Sequence, residues 1–199
     1  MTDTRQHIIE RIFAARNNRG LWELLPESHK YYPDYLHYVP NYKASLWTLI
    51  LLADLQCNPN DERIRIPLQA VKDHLFDPNY GIYSLKEDHF PIPCLNGNLL
   101  YVDCYFSKEP SEQSRRLLSF FYKNQRFDDG VYVEPKNQFC SNTSCYGKHT
   151  CYWGITKLLK GISFLPQTHR NKEVTALQEN CVQFILKHKV CYSSHHPTK

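Results

Sequence analysis

Between residues 140 and 151 the chain reads Cys140-Ser-Asn-Thr-Ser-Cys145-Tyr-Gly-Lys-His149-Thr-Cys151, three cysteines and a histidine in one short stretch. Thiolate and imidazole are the ligands that tetrahedral zinc favours, and a loop running into a helix can supply several of them. Cys94, in Pro93-Cys94-Leu95-Asn96-Gly97-Asn98, stands in a second polar loop that leads into an apolar helix. In a stack of helical hairpins equivalent loops are neighbours, so Cys94 joins the set. Cys94, Cys140, Cys145, His149 and Cys151 are then five candidates for the four places of a zinc ion. With so many candidates the expected role is structural; three ligands and an open place would instead let the metal activate a thiol or water. The spacings are looser than those of paired Cys-x-x-Cys sites, and two other readings stand beside zinc. The cysteines can be small buried hydrophobes of a helical core. Alternatively one is a reactive thiol, for which Cys151 is best placed: it precedes a helix, whose dipole lowers a thiol pKa, and His149 is close in sequence.

Other residues offer weaker chemistry. Tyr31, Tyr32, Tyr35, Tyr38 and Tyr42, with Trp47 and later Trp153, can line an apolar or cation-stabilising cavity, or can pack a loop against helices. Asp54 and Asp103 fall in apolar helices, where a carboxylate either faces a cavity or serves a solvated face or a neighbouring loop. Trp47, Asp103 and Trp153 are the cavity-lining candidates. Asn96 and Asn98 flank Gly97 at an expected helix start and read as capping residues. His195 and His196 lie in a polar tail.

The bulk composition narrows the function classes. Hydrophobic residues make up 42% and charged residues 22% of the 199 residues, ordinary values for a chain with a real core. Lys and Arg number 24 against 20 Asp and Glu, well mixed, so the basic footprint of a nucleic-acid binder is weak. No stretch reaches the roughly 18 apolar residues of a bilayer span, and the charged start MTDTRQHIIERIF lacks a secretory core. A cytoplasmic protein is expected, and its reducing surroundings argue against disulfides for the eight cysteines.

The helical period recurs along the chain. Ile64, Leu68, Val71 and Leu75 share one face; so do Ile155, Leu158, Leu159 and Ile162, and Val174, Leu177, Cys181, Phe184 and Ile185. The stretch 43–55 is apolar on nearly all sides, the mark of a helix buried all round. Stretches 95–106 and 111–123 complete the set, with Pro110 and Pro166 between helices. Asn79-Tyr80-Gly81-Ile82-Tyr83 and Asp129-Gly130-Val131-Tyr132 form a repeated Gly-x-Tyr turn. Each follows an amphipathic helix and precedes a cysteine-bearing polar loop and an apolar helix. The unit is a helix pair of roughly 50 residues, as in solenoids and closed helical rings. The expected organisation is a single helical-repeat domain over 1–192 and a polar tail over 193–199.

YKASLWTLILLADL (42–55), GIYSL (81–85), PCLNGN (93–98) and the run from Cys140 through HTCYWGITKLLK to Lys160 resemble the bacterial branch of the squalene-cyclase and protein-prenyltransferase repeat superfamily, a branch of unassigned activity. The resemblance covers roughly residues 35–192. Members are α/α toroids, an inner ring of helices within an outer one. The resemblance therefore implies an all-α fold of repeated helical hairpins forming a partial or short α/α toroid, with an isoprenoid-like apolar ligand in its centre. The chain departs from the family in its chemistry. Asp128-Asp129-Gly130 lacks the Asp-x-Asp-Asp spacing of the cyclases, the Gln-x3-Gly-x-Trp signature is missing, and the prenyltransferase zinc ligands map to no position. Three or four hairpins stand where full toroids have about six, which leaves room for a protein partner or a second copy. The competing expectation is a non-catalytic protein-interaction scaffold built from helical repeats.

Overall fold

The computed structural model describes residues 4–38, 43–85, 91–107, 109–128, 145–147 and 149–190. Cys140, Cys191, Tyr42, the second Gly-x-Tyr turn and the tail 193–199 lie outside these residues.

Seven α-helices occur among the described residues: α1 (Thr4–Ala14), α2 (Ser45–Asp54), α3 (Arg65–Leu75), α4 (Pro93–Phe106), α5 (Glu112–Asn124), α6 (Tyr152–Ser163) and α7 (Lys172–Lys187). Among the described residues the strands form one two-stranded ribbon, β1 (Phe76–Asp77) against β2 (Ile82–Tyr83), antiparallel with Phe76 opposite Tyr83. The chain is thus all-α and helix-rich, as the periodicity predicts. None of these helices is long and apolar enough to cross a membrane.

Local chemistry sets the boundaries. Ser111 accepts the N–H of Ser114 and Asn171 that of Val174, so α5 and α7 each start on a side-chain cap. The helix α4 starts at Pro93, earlier than the apolar run suggests, because proline at the first helical position has no N–H to leave unsatisfied. Gly81 closes the ribbon turn at φ +66°, a left-handed conformation that a side chain would resist. The helix α1 is missed by the sequence reading, its charges masking Ile9 and Phe13, which are buried. It is fastened by Trp22, whose Nε1 donates to the Ile12 carbonyl at 2.8 Å. Arg63 stacks 3.8 Å over the Phe13 ring while its guanidinium bonds both Glu10 and Asp61.

The pillar of the fold is α4. Pro93 and every residue from Leu95 to Cys104 are buried, so this helix is enclosed on all sides. It packs on α6, on α2, on α5 and on α3; α7 covers α6 and α5, and α3 leans on α2. Each fully buried Leu, Ile or Phe of this core contributes about 1.5–3 kcal/mol relative to exposure. The α4–α6 contact is the tightest, and glycine makes it so. A Cβ placed on Gly97 would lie 2.5 Å from the Lys157 carbonyl carbon and 2.6 Å from the Leu158 nitrogen. One on Gly161 would lie 2.8 Å from Leu100, and one on Gly154 2.5 Å from the Pro93 Cβ. At Gly97 α4 meets the α6 backbone, while Gly161 and Gly154 receive the Leu100 and Pro93 side chains.

Two buried polar groups serve this packing. Asn96 is not a helix cap. Its side chain donates to the Tyr83 carbonyl at 2.7 Å and accepts the Tyr83 N–H at 3.2 Å, which ties β2 to α4 as a strand would. Asp103 accepts from Lys72 Nζ at 2.6 Å, from Ser111 Oγ at 2.6 Å and from Ser114 Oγ, joining α3, α4 and the start of α5.

The glycine contact makes a testable prediction. In an ordinary helix interior Gly→Ala gains up to about 1 kcal/mol from propensity, but overpacking costs about 1–3 kcal/mol. At Gly97 the obstacle is backbone, which cannot swing aside, so Gly97→Ala should lower stability by about 1–2 kcal/mol net. Urea unfolding followed by circular dichroism measures it, and a variant as stable as the parent would refute the contact.

Candidate functional site

The α4–α6 crossing decides where the sulfurs lie. Because Pro93 touches Gly154, the N-termini of the two helices meet. Cys94 is in the first turn of α4 and Cys151 is the residue immediately before α6. Cys145 arrives on the preceding loop, near enough to the Cys151 sulfur to favour its thiolate. The loop is anchored independently. The buried Tyr146 hydroxyl donates to the Pro91 carbonyl at 2.6 Å, and the buried Arg126 guanidinium donates to the Gly147 carbonyl while pairing with Asp128 at 2.9 Å.

Two tyrosines wall the cluster. Tyr38 lies beside Cys94, and Tyr146 lies within the electrostatic reach of Cys145, Cys151 and Cys94. Burial, and then these sulfurs, push both phenols upward in pKa. Tyr38 also ends a run of aromatic contacts, Tyr31–Tyr35 at 4.8 Å, Tyr35–Tyr38 at 6.3 Å and Tyr38–Trp47 at 5.5 Å between centroids. The early tyrosines therefore pack a loop against α2 and the sulfur site.

The thiols differ sharply in acidity. Cys151 is pulled down to about 6, first by the hydrogen bond from Cys145 and then, against burial, by the N–H groups of Gly154 and Trp153. Those N–H groups do not form a regular capping bond with it; the sulfur rests 3.6 Å from the Gly154 Cβ position, so we attribute this part to oriented dipoles. Burial, then the neighbouring charge of Cys151, raises Cys94. Burial raises Cys57 to about 11 and Cys104 and Cys181 to about 12, and these three are plain core residues.

The five predicted ligands thus separate. Cys94, Cys145 and Cys151 come to one place, His149 is exposed beside it, and Cys140 lies outside the described residues. Among the described residues no three His, Cys, Asp or Glu side chains already stand as a metal cage. The cavity-lining candidates go elsewhere. Trp153 is 73% exposed at the first turn of α6. Trp47 is half-buried, with Nε1 donating to the Tyr38 carbonyl at 3.0 Å. Asp103 is a buried structural ion pair: burial pushes its pKa up, but Lys72 and the two serine hydroxyls outweigh burial and hold it below its ordinary value. Asp54 is half-exposed and receives the Tyr101 hydroxyl at 2.7 Å and Lys160 Nζ at 2.6 Å.

Sequence reading named Tyr38 only within a general aromatic run and missed Tyr146. The adjacency of Tyr146 to Cys145 was the one signal available. It also missed His37, which is 4% exposed, with Nδ1 unpartnered and its ring edge-on to His74 at 5.2 Å. Burial, then the nearby His74, lowers His37 to about 4.

These shifts predict two behaviours. In chelator-treated, reduced protein Cys151 should be alkylated first near neutral pH, ahead of Cys57, Cys104 and Cys181; peptide mass spectrometry after limiting iodoacetamide would show it, and earlier labelling of Cys181 would contradict it. His37 makes stability pH-dependent. Its folded pKa is below the unfolded value, so above about 6.5 it contributes nothing. As pH falls towards 4 the unfolded chain gains a proton that the folded one refuses, and stability drops by about 3 kcal/mol in all. The difference between wild type and His37→Gln, taken by urea unfolding from pH 7 to pH 4.5, isolates this slope. Parallel profiles would rule it out.

Compared with known proteins, the chain matches no protein-family model, no curated protein and no solved structure.

Proposed function

We propose that the chain is a non-catalytic interaction module built from helical hairpins. The observation that carries this reading is α4. A toroid enzyme would keep a substrate cavity beside such a central helix, whereas here its faces are occupied by neighbouring helices and its carboxylate, Asp103, is spent on Lys72 and two serines. Toroid kinship remains part of the proposal. It is supported by the order of packing: α2, α4 and α6 stand in sequence against one another, and α3, α5 and α7 each pack on the helix before them, as inner and outer members of an arc would.

The outer surface supplies the binding face. A groove of about 280 Å³ runs between α1 and α2, lined by Ile12, Ala15, Trp22, Thr48 and Leu51 and edged by the exposed Glu23–Lys43 pair. Its mixed rim and open apolar floor suit a protein segment inserting an apolar side chain, with charged residues around it. An isoprenoid-like ligand, the competing occupant, would need deeper enclosure than this.

The test compares the full chain with Leu51→Glu, a change at a residue 44% exposed in the groove. Wild-type chain used as bait in its source cell should retain a protein at reproducible stoichiometry, and Leu51→Glu, with unchanged circular dichroism, should lose it about tenfold or more, as expected for a charge buried in an apolar contact. Tight binding or turnover of a polyprenyl diphosphate by the wild type, abolished by the same substitution, would overturn the reading in favour of the apolar ligand.

A further inference from the structure

We propose that a cleft along α3, with the Tyr83 side chain in its inner chamber, binds a short neutral carbohydrate. The cleft shares no lining residue with the groove between α1 and α2, so the two binding sites stand or fall separately.

The site begins with an orphaned hydroxyl. Tyr83 is 2% exposed, and its phenol oxygen meets no hydrogen-bond partner among the described residues. Asn96 holds the N–H and the carbonyl of this residue, which fixes its place in the ribbon. Phe76 stands opposite Tyr83, and the side chains of such a cross-strand pair lie on one face. Both residues line a cavity of about 240 Å³ together with Lys72. Buried polar groups are nearly always satisfied, so an unpartnered hydroxyl at a cavity points to a group that enters from outside. Burial, then the negative charges of Asp103 and Asp73, push this phenol up in pKa, so it is present as O–H and can both donate and accept.

Helix α3 supplies most of the rest. Arg65, Leu68, Gln69, Lys72 and Asp73 recur at spacings of three and four and therefore share one face. Gln69, Lys72 and Asp73 edge the Tyr83 cavity, with Gln113 of α5 across from them. Arg65, Leu68, Gln69 and Lys72 edge a second cavity of about 340 Å³, which Phe106 also lines. Because both contain Gln69 and Lys72, the two cavities are adjoining chambers of one cleft, each with an aromatic ring. Together they fall within the roughly 300–1,000 Å³ usual for small-molecule sites.

Charge selects the ligand class. Lys72 is matched by Asp103 at 2.6 Å, and Asp73 accepts from Gln69 at 2.7 Å. A bare anion or cation therefore finds no uncommitted counter-charge in the inner chamber. What the chamber offers is a mixture of donors and acceptors: a phenol, two carboxamides, the further N–H groups of an ammonium and the lone pairs of a carboxylate. The hydroxyls of a polyol each donate and accept, which suits that mixture. A pyranose ring adds an apolar C–H face for Phe76, and the second chamber, with Phe106, gives room for a second sugar unit.

The experiment uses the whole chain and three probes, cellobiose, maltose and lactose, at millimolar concentration. Saturation-transfer difference NMR should show at least one of them bound, and its titration gives a Kd. Tyr83→Phe removes only a hydroxyl that has no partner in the free protein, so circular dichroism and thermal unfolding should stay as in wild type while affinity falls roughly five- to tenfold. Gln113→Ala should weaken binding to a similar degree. Leu51→Glu, in the groove between α1 and α2, should leave sugar binding intact, which separates this site from the protein-binding reading. Glycine and glutamate, added as charged competitors, should displace nothing. No saturation transfer from any of the three sugars would overturn the proposal and leave an ordered water as the partner of Tyr83. Equal affinity in Tyr83→Phe, or displacement of the sugar by either amino acid, would overturn it as well.

Discussion

The close approach of α4 and α6 governs this molecule. Gly97, Gly154 and Gly161 let two helices cross with their backbones nearly touching, and side chains elsewhere fill what that crossing leaves. At Gly97 the contact has little give, because the atoms in the way are a carbonyl carbon and an amide nitrogen rather than rotatable ends. Its consequence reaches past packing. Fixing the helices at Gly97 and Gly161 also fixes their first turns at Pro93 and Gly154, and with them the cysteines on either side. The sulfur cluster follows from a steric constraint several residues away.

The enclosure of α4 explains why the polar side chains it carries are spent on hydrogen bonds to neighbouring elements. A buried carboxylate is tolerated only when paired and hydrogen-bonded, and Asp103 has a lysine and two serine hydroxyls. Asn96 replaces a missing strand neighbour for β2, satisfying both an N–H and a carbonyl of Tyr83. These groups couple three hairpins through polar contacts, in a core whose apolar side chains alone would tolerate sliding.

The thiols show how environment separates identical side chains. Cys181 feels burial alone and Cys104 burial plus the Asp103 charge, partly offset by Lys72, and both behave as small hydrophobes. Cys151, with a thiol donor and a helix start beside it, is acidic. Nothing in the local sequence around Cys181 and Cys151 distinguishes them as clearly as the company they keep in three dimensions.

Periodicity alone placed six of the seven described helices, because amphipathic spacing reports burial directly. The cysteine-rich stretch likewise announced itself, since thiol and imidazole so close together are uncommon outside sites. Helix α1 escaped because its charges hide a short apolar stripe that only Trp22 and Arg63 make stable. Asp103 does serve the neighbouring loop at Ser111, one of the roles its sequence allowed, whereas the roles of Asn96 and Trp153 escaped for a related reason. Their residue types are compatible with a cap, a cavity or a surface, and the choice depends on which distant element lies opposite. Sequence therefore determined the elements and the candidate ligands, properties set by neighbours along the chain. Tertiary structure decided which cysteines approach one another and which carboxylate is neutralised, because each depends on contacts between residues far apart in the sequence.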